Sequence, residues 1–444
     1  MAKKAGKPER KKQAVASRKK VVSAKRRAAV LKRVKPKSSE TKPASKKIKT
    51  RSVPTRPLAN RTGPALRPLP TNKATPGIRP LATRKPLAPR RLMLPPKIVS
   101  AQPITVPAPI RPRPVIKTKM LSREFLMELS KAIRDAVAPS VRAVRGREVV
   151  GQATSGDATF QLDKTAEKAL LAFLKSAKMS VAYYSEDTGY TTFTSGPPQH
   201  LLIVDPIDGT RAAKSGFESC VVAVGSTRVI ERPHMADVDN GCVVEILGDK
   251  AFYAERGQGA RIYVDGHARK ARLSTNTNLE TVTWAMTVPA RPAELVFPTA
   301  AKLIDLTSLK GGFFACNSTS YSLTRLLTNQ LDACVDFANR YLRDIPAAVR
   351  DQFINAGRGI VLGIAPYDIA ASLLIAQEAG CTVTDAYGKN FDDVLLLDSS
   401  EANHQSMVAA ANAELHQKLL SFFDTRINQF EQLLKRRAEL TAHV

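Results

Sequence analysis

The run Leu201-Leu202-Ile203-Val204-Asp205-Pro206-Ile207-Asp208-Gly209-Thr210 constrains the fold more than any other segment of this chain. Four unbroken apolar residues read as a strand buried on both faces. A strand of that kind needs cover above and below, which favours a layered body of sheets and helices. It then ends in two aspartates three residues apart. Pro206 cannot donate to a ladder, so the strand is predicted to stop there. Asp205 to Asp208 resembles a β-turn with Pro at its second position, which brings its first and fourth Cα atoms within ~7 Å. Both carboxylates can then face one cation or a close pair. An oxygen-only ligand set points to Mg²⁺, which keeps several waters and shares phosphate oxygens. Gly209 permits close approach. The N–H groups of Gly209 and Thr210, opening a short helix, can hold a phosphate, and the Thr210 hydroxyl can orient a water. The same letters also make a good turn, with Asp208 as a helix cap, so this segment alone supports either reading.

Other acids sit at element ends. Glu186, in Ser185-Glu186-Asp187, follows the strand VAYYS. Asp368 follows IAPY and opens the helix IAASLLIAQEAG, and Asp163 opens another helix four residues before Glu167. Asp368 and Asp163 are each also natural helix caps. Convergence of these acids on one metal cluster is an expectation that spacing alone does not decide.

The rest of the body alternates. Phe125, Leu126, Leu129, Ile133 and Val137 recur at helical spacing behind Ser122, a candidate cap. A second helix is predicted over roughly Lys164 to Ala177. Short strands follow through ARIYVDG, most of them in an antiparallel sheet. Beyond about residue 276, strands at GGFFACNS and LDACVDFA flank a helix at YSLTRLLTNQ. The stretch ANRYLRDIPAAVRDQFINAGRGIVLG is ambiguous. A helix capped by Gly380, strands CTVTDAYGK and SMVAAA, and closing helices complete the chain. The succession predicts a layered α/β or α+β body without internal repeats. Boundaries are expected near 119, 275 and 424, giving an arm (1–119), an N-terminal α+β subdomain (120–275), a C-terminal α/β subdomain (276–424) and a helical extension (425–444).

Charge separates the arm from that body. Residues 1–120 hold 35 of the 69 Lys/Arg and 2 of the 39 Asp/Glu, or +33, which leaves −3 for everything after. Residues 51–120 carry 16 of the 29 prolines, so that stretch is predicted to be extended and disordered. Phe, Tyr and Trp are absent from residues 1–120. Binding of nucleic acid or another polyanion through residues 1–119 would therefore be electrostatic and indifferent to sequence. KKIK and SAKRR also fit nuclear-import patches, and a solubilising tail is the plainer reading. The five cysteines are scattered and form no C-x-x-C, which suggests a reducing compartment. With neither a membrane-length apolar run nor a secretory h-region, the expectation is a cytoplasmic protein without membrane contact, or alternatively a nuclear one.

Taken together, LDKTAE after Thr159, SED, DPIDGT and YDIAASLLIAQEAGCTVTDAYG resemble, in order and largely in spacing, the motifs of the inositol monophosphatase superfamily of Mg²⁺-dependent, lithium-sensitive phosphatases. ADVDNGCVVEILGDKAFYAERGQGARI is similar to a further family segment, so the resemblance spans about residues 121–420. It implies a layered α-β-α-β-α sandwich of α+β class, commonly dimeric, that hydrolyses a small sugar, inositol or nucleotide phosphate. It implies Glu186, Asp205, Asp208, Asp368 and the Ile207 carbonyl as metal ligands. Asp163 and Thr210 are implied to polarise the attacking water, and the Gly209 and Thr210 amides to hold phosphate.

The departures lie elsewhere. G-E-E becomes Ser185-Glu186-Asp187, and Arg211 follows Thr210 as a possible contact to a second anionic group or as a surface side chain. Tyr367 replaces Trp, Asn317-Ser318 replaces G-S, and Val361 stands where inositol-specific members carry a ring-contacting Glu. Against the family's usual spacing, roughly 15–25 additional residues are expected between Phe337 and Gly363, near where substrate would sit. A nucleic-acid-associated protein that uses the body as a scaffold is the alternative function.

Overall fold

The computed structural model describes residues 118–152, 158–193 and 196–442. The arm expected over residues 1–119 lies outside the described residues except for its last two positions.

The first layer is helical. Helix α1 (Arg123–Arg142) is capped by Ser122, whose hydroxyl accepts from Phe125 N at 3.2 Å. Leu126, Leu129, Ile133 and Val137 are fully buried, while Phe125 is half-buried against Phe173. A small hairpin, β1 (Val149–Gln152) and β2 (Ala158–Phe160), leads into α2 (Gln161–Ala177). This helix starts three residues before the expected Lys164. Asp163 Oδ2 accepts from Phe160 N at 2.7 Å and so satisfies an end amide one turn earlier.

Eight strands form the second layer: β3 (Val181–Ser185), β4 (Gly189–Phe193), β5 (His200–Asp208), then, after a one-turn helix α3 (Thr210–Ala213), β6 (Val221–Thr227), β7 (Asn240–Glu245), β8 (Lys250–Glu255), β9 (Ala260–Val264) and β10 (His267–Arg269). Their order is β10-β9-β8-β7-β6-β5-β3-β4, antiparallel throughout except for the parallel pair β3–β5. Strand period sorts the side chains: Val181, Tyr183, Leu202 and Val204 pack under α1 and α2, while Ala182, Tyr184, Leu201 and Ile203 face the interior helices.

β5 does not stop at Pro206. It continues to Asp208, and pairing with β6 slips from Asp205↔Ala223 to Asp208↔Val221. Three steps on β5 oppose two on β6, which is a β-bulge, and a bulge accommodates a proline that has no N–H to give. The predicted turn is thus an irregular strand end.

The remaining chain provides β11 (Thr283–Met286), α4 (Ala293–Thr307), β12 (Gly312–Phe314), α5 (Thr319–Leu327), β13 (Ala333–Asp336), α6 (Ala338–Asp344), α7 (Pro346–Ala356), α8 (Pro366–Ala379), β14 (Thr382–Thr384), β15 (Met407–Ala410) and α9 (Ala413–Ala442). The ambiguous stretch is two helices, α6 and α7. A single unbroken helix, α9, replaces the expected closing helices and runs across residue 425. The second sheet has the order β12-β11-β13-β15-β14. Its inner residues Ala285, Cys334 and Ala409 share a core with α5, α8 and the first sheet. Its outer residues Trp284, Val335 and Val408 share another with α4, α6, α7 and α9. The layering is α-β-α-β-α, of α+β class.

α8 is the centrepiece, buried on nearly every side from Pro366 to Ala376. It lies so close to the first sheet that a Cβ on Gly241 would sit 2.5 Å from Ala371 O. Glycine on β7 is what admits the helix backbone. Gly380 ends α8 with φ 97° as its left-handed cap. No helix among the described residues is long and apolar enough to cross a membrane.

Candidate active site

A cleft of about 140 Å³ opens where β3 and β5 end and α2, α5 and α8 begin. Every side chain the sequence singled out lines it: Asp163, Glu186, Asp205, Asp208, Thr210 and Asp368, with Ile207, Gly209 and Arg211. Residues more than 200 positions apart meet here because the parallel pair β3–β5 delivers Glu186 and Asp205 from neighbouring strand ends, and α8 delivers Asp368 from the layer above.

Asp163, Asp205, Asp208 and Asp368 are each held by a backbone N–H. Asp205 Oδ1 accepts from Ile207 N at 3.0 Å inside the bulge. Asp208 Oδ2 accepts from Ser320 N at 2.6 Å, so this carboxylate caps α5 across the layers. Asp163 and Asp368 are both third residues of their helices, and each returns an oxygen to the amide preceding the helix, Phe160 N at 2.7 Å and Ala365 N at 3.3 Å. Asp368 is therefore not itself the N-cap, which is Ala365. One oxygen of each pinned carboxylate is spent on orientation. Among the described residues no three His, Cys, Asp or Glu side chains stand as a ready-made metal-binding group. Carboxylates that repel one another turn to such local donors.

The electrostatics record that repulsion. Burial first, then the charges of Asp208, Glu186 and Asp368, push the Asp205 carboxyl well above the usual carboxylate range. Burial raises Asp208 as well, opposed by its hydrogen bonds from the start of α5. A concentration of buried negative charge with oxygen donors only fits a hard divalent cation.

Gly209 supplies the floor. Its φ of 94° is left-handed, and a Cβ there would lie 2.5 Å from Ser219 O and 2.9 Å from Ser318 Cβ. Both backbone and space demand glycine. The Thr210 hydroxyl donates to Ile207 O at 3.0 Å, tying helix α3 to the bulge.

The substitutions beside Glu186 form a supporting network. Ser185 Oγ donates to the buried Glu167 carboxylate and meets Thr188 Oγ1 at 2.8 Å. Thr159 Oγ1 donates to Asp187 Oδ1 at 2.6 Å. Tyr367 packs against Tyr184 as a tilted aromatic pair, ring centroids 4.8 Å apart. Val361 is buried in the outer core and does not line the cleft.

Sequence reasoning missed the rest of the lining, above all Arg291 and His404. Neither belongs to a recognisable spacing; Arg291 lies in VPARP and His404 in ANHQS. Only their burial beside the cleft reveals them.

Comparison with known proteins follows the same outline. The model of the inositol monophosphatase family matches residues 121–427. A bifunctional NADP phosphatase/NAD kinase of Methanococcus maripaludis is 26% identical over 314 residues, which is 68% of this chain but only 49% of that protein. A fructose-1,6-bisphosphatase/inositol-1-monophosphatase of Thermococcus kodakarensis is 25% identical over 297 residues, covering 67% of this chain and 95% of the relative. The Nus factor SuhB of Pseudomonas aeruginosa is 23% identical over 262 residues, or 59% of this chain and 84% of that one. Among solved structures, an inositol monophosphatase-fructose 1,6-bisphosphatase superposes with a TM-score of 0.50 at 21% identity, covering 68% of this chain and 100% of the other, which supports the fold. With the family's motifs, layers and cleft all present over residues 121–427, the chain belongs to the inositol monophosphatase family, a family of phosphatases.

Proposed function

We propose that the protein is a Mg²⁺-dependent phosphomonoesterase acting on a small sugar, inositol or nucleotide phosphate, with water as the attacking nucleophile. The observation that carries this reading is the convergence of Glu186, Asp205, Asp208 and Asp368 beside Gly209 and Thr210 in one cleft. Glu186, Asp205, Asp208, Asp368 and the Ile207 carbonyl would hold the cations. Bound Mg²⁺ supplies a lowered water pKa and charge neutralisation on the phosphoryl and leaving oxygens.

The chain's own groups do the remainder. Amides of Gly209 and Thr210 bind a phosphoryl oxygen, and the left-handed Gly209 keeps Cβ atoms out of its way. Asp163 takes the proton that water gives up on attack, and Thr210 orients that water. The charge that builds on oxygen is met by groups held in advance, so little reorganisation is needed. Arg211, next to Thr210, is available to a second anionic group of the substrate. Dimeric assembly and a cytoplasmic or nuclear location belong to the same proposal.

The decisive experiment is phosphate release from a panel of phosphomonoesters with Mg²⁺ and with chelator. Release that is insensitive to chelation, or an Asp208→Asn variant as active as wild type, would overturn the proposal.

A further inference from the structure

The cleft has a second wall that none of the motifs accounts for. Arg291 lines it with a side chain only 8% exposed. Its Nε and Nη2 donate to Asp336 Oδ2 at 3.0 and 2.7 Å, and Nη1 donates to Pro289 O at 3.0 Å. A guanidinium carries five N–H groups, so two remain after these three bonds. His404, 5% exposed, lines the same wall, and its Nδ1 has no hydrogen-bond partner. A buried polar atom left without a partner is costly unless something else meets it. Burial first, and then the Arg291 charge, hold the His404 pKa below its ordinary value, which favours the neutral ring.

The position of that ring is tightly specified. A Cβ on Gly363 would lie 2.7 Å from His404 Cβ and Cγ and 2.8 Å from Nδ1, so glycine is what lets the imidazole stand there. Helices α6 and α7 brace it from behind. Arg343 of α6 donates to His404 O at 2.6 Å. Arg350 of α7 forms a two-pronged pair with Glu401, three residues upstream in the same turn, with one bond at 2.8 Å. Asp336, which aims Arg291, is the last residue of β13 before α6 begins.

We propose that Arg291 and His404 are specificity-determining residues that bind hydroxyl oxygens on the alcohol part of the substrate, and that helices α6 and α7 are the brace that positions His404. This rests on the phosphomonoesterase reading above. Charge favours a hydroxyl over a second phosphate on this wall. Asp336 offsets Arg291, and His404 favours its neutral form, so a dianion would meet no uncompensated cation there. A hydroxyl both donates and accepts, which suits a ring nitrogen beside guanidinium N–H groups.

The test compares esters that share the reaction and differ in the alcohol. The Mg²⁺-loaded full chain is assayed with p-nitrophenyl phosphate, which has no hydroxyls, with inositol 1-phosphate and glucose 1-phosphate, and with fructose 1,6-bisphosphate. His404→Ala and Arg291→Gln are expected to raise KM for the two polyol esters at least about tenfold more than for p-nitrophenyl phosphate, with kcat changing by less than about threefold. Arg350→Ala, on an exposed side chain, is expected to shift the same ratio by about threefold. Should Arg291→Gln fail to fold after losing its buried pair, Arg350→Ala and His404→Ala carry the test. Equal losses on all esters, no loss on any, or losses concentrated on fructose 1,6-bisphosphate would each overturn the inference. A wild-type protein that hydrolyses none of these esters in Mg²⁺ sinks the phosphomonoesterase reading itself. Hydrolysis without the differential effect sinks only the specificity wall.

Discussion

The two walls of the cleft are built in opposite ways. The acidic wall hangs on backbone: a bulged strand end, the strand beside it, and the third residues of two helices fix its carboxylates within one or two residues of a regular element. The Arg291–His404 wall hangs on side chains, with the imidazole packed against Gly363 and its turn held by Arg343 and Arg350 from α6 and α7. On the proposed reading, the chemistry common to all substrates is tied to the backbone of regular elements, and recognition of the alcohol part to side chains held by other side chains. Val361 offers no acid to the cleft, while helices α6 and α7 before it hold the turn that carries His404.

Losing the acidic wall should have the largest effect. Asp208→Asn is expected to reduce kcat/KM on p-nitrophenyl phosphate by about 10²–10³-fold, the scale of removing one preorganised charged group. Circular dichroism would establish that α5, which Asp208 caps, still forms. A loss equally large on every ester would set this wall apart from the other; a substrate-dependent loss would blur the distinction.

Gly209→Ala tests whether the floor belongs to the same rigid frame. A Cβ 2.5 Å from Ser219 O at φ 94° cannot be accommodated without movement. Destabilisation of about 1–3 kcal/mol is expected from the backbone strain alone, read as a lower urea midpoint, together with loss of turnover. Unchanged stability would mean that the bulge and α3 can shift apart.

Metal binding should stabilise the acidic wall and leave the other untouched. Mg²⁺ at about 100 times its Kd should add about 2.7 kcal/mol to unfolding, seen as a raised Tm that chelator reverses. Because Asp205 and Asp208 are held above their ordinary range, protons compete with the cation, and the Mg²⁺ concentration for half-maximal effect should fall as pH rises. A pH-independent midpoint would argue that these two carboxylates are not ligands.

The smallest effect lies away from both walls and provides a control. His416, buried with its Nε2 3.0 Å from Thr384 Oγ1, has its pKa lowered from 6.5 by burial. The unfolded chain therefore binds the proton more readily, so its contribution is full above that value and declines as pH falls below it. The gap in unfolding free energy between wild type and His416→Gln, read from urea midpoints, should narrow from about pH 7.5 to about pH 5, by about 1 kcal/mol or less. A gap that widens in acid would reverse the sign of the argument.

Much of the acidic wall was legible in the sequence because its spacing is local. Asp205, Asp208, Gly209 and Thr210 lie in six consecutive residues, and Glu186, Asp163 and Asp368 each adjoin an apolar run whose period announces a strand or helix. The form of the join was less legible. Pro206 reads as a strand stop, yet pairing with β6 absorbs it in a bulge, and pairing is a long-range fact. The stretch over residues 338–363 is ambiguous in sequence because Pro346 interrupts its helical spacing and leaves two short helices. Packing into the outer core is what makes Tyr341 and Phe353 buried residues.

What the sequence by itself determined is therefore whatever rests on neighbours along the chain: which segments are strands or helices, which acids cap their ends, and where glycine must stand. The tertiary structure alone decided which of those ends share a cleft, that Asp208 caps a helix more than a hundred residues away, and that Arg291 and His404 belong to the site. Local periodicity is written in side-chain order, whereas convergence depends on how sheets twist and layers pack, and those terms are summed over the whole core.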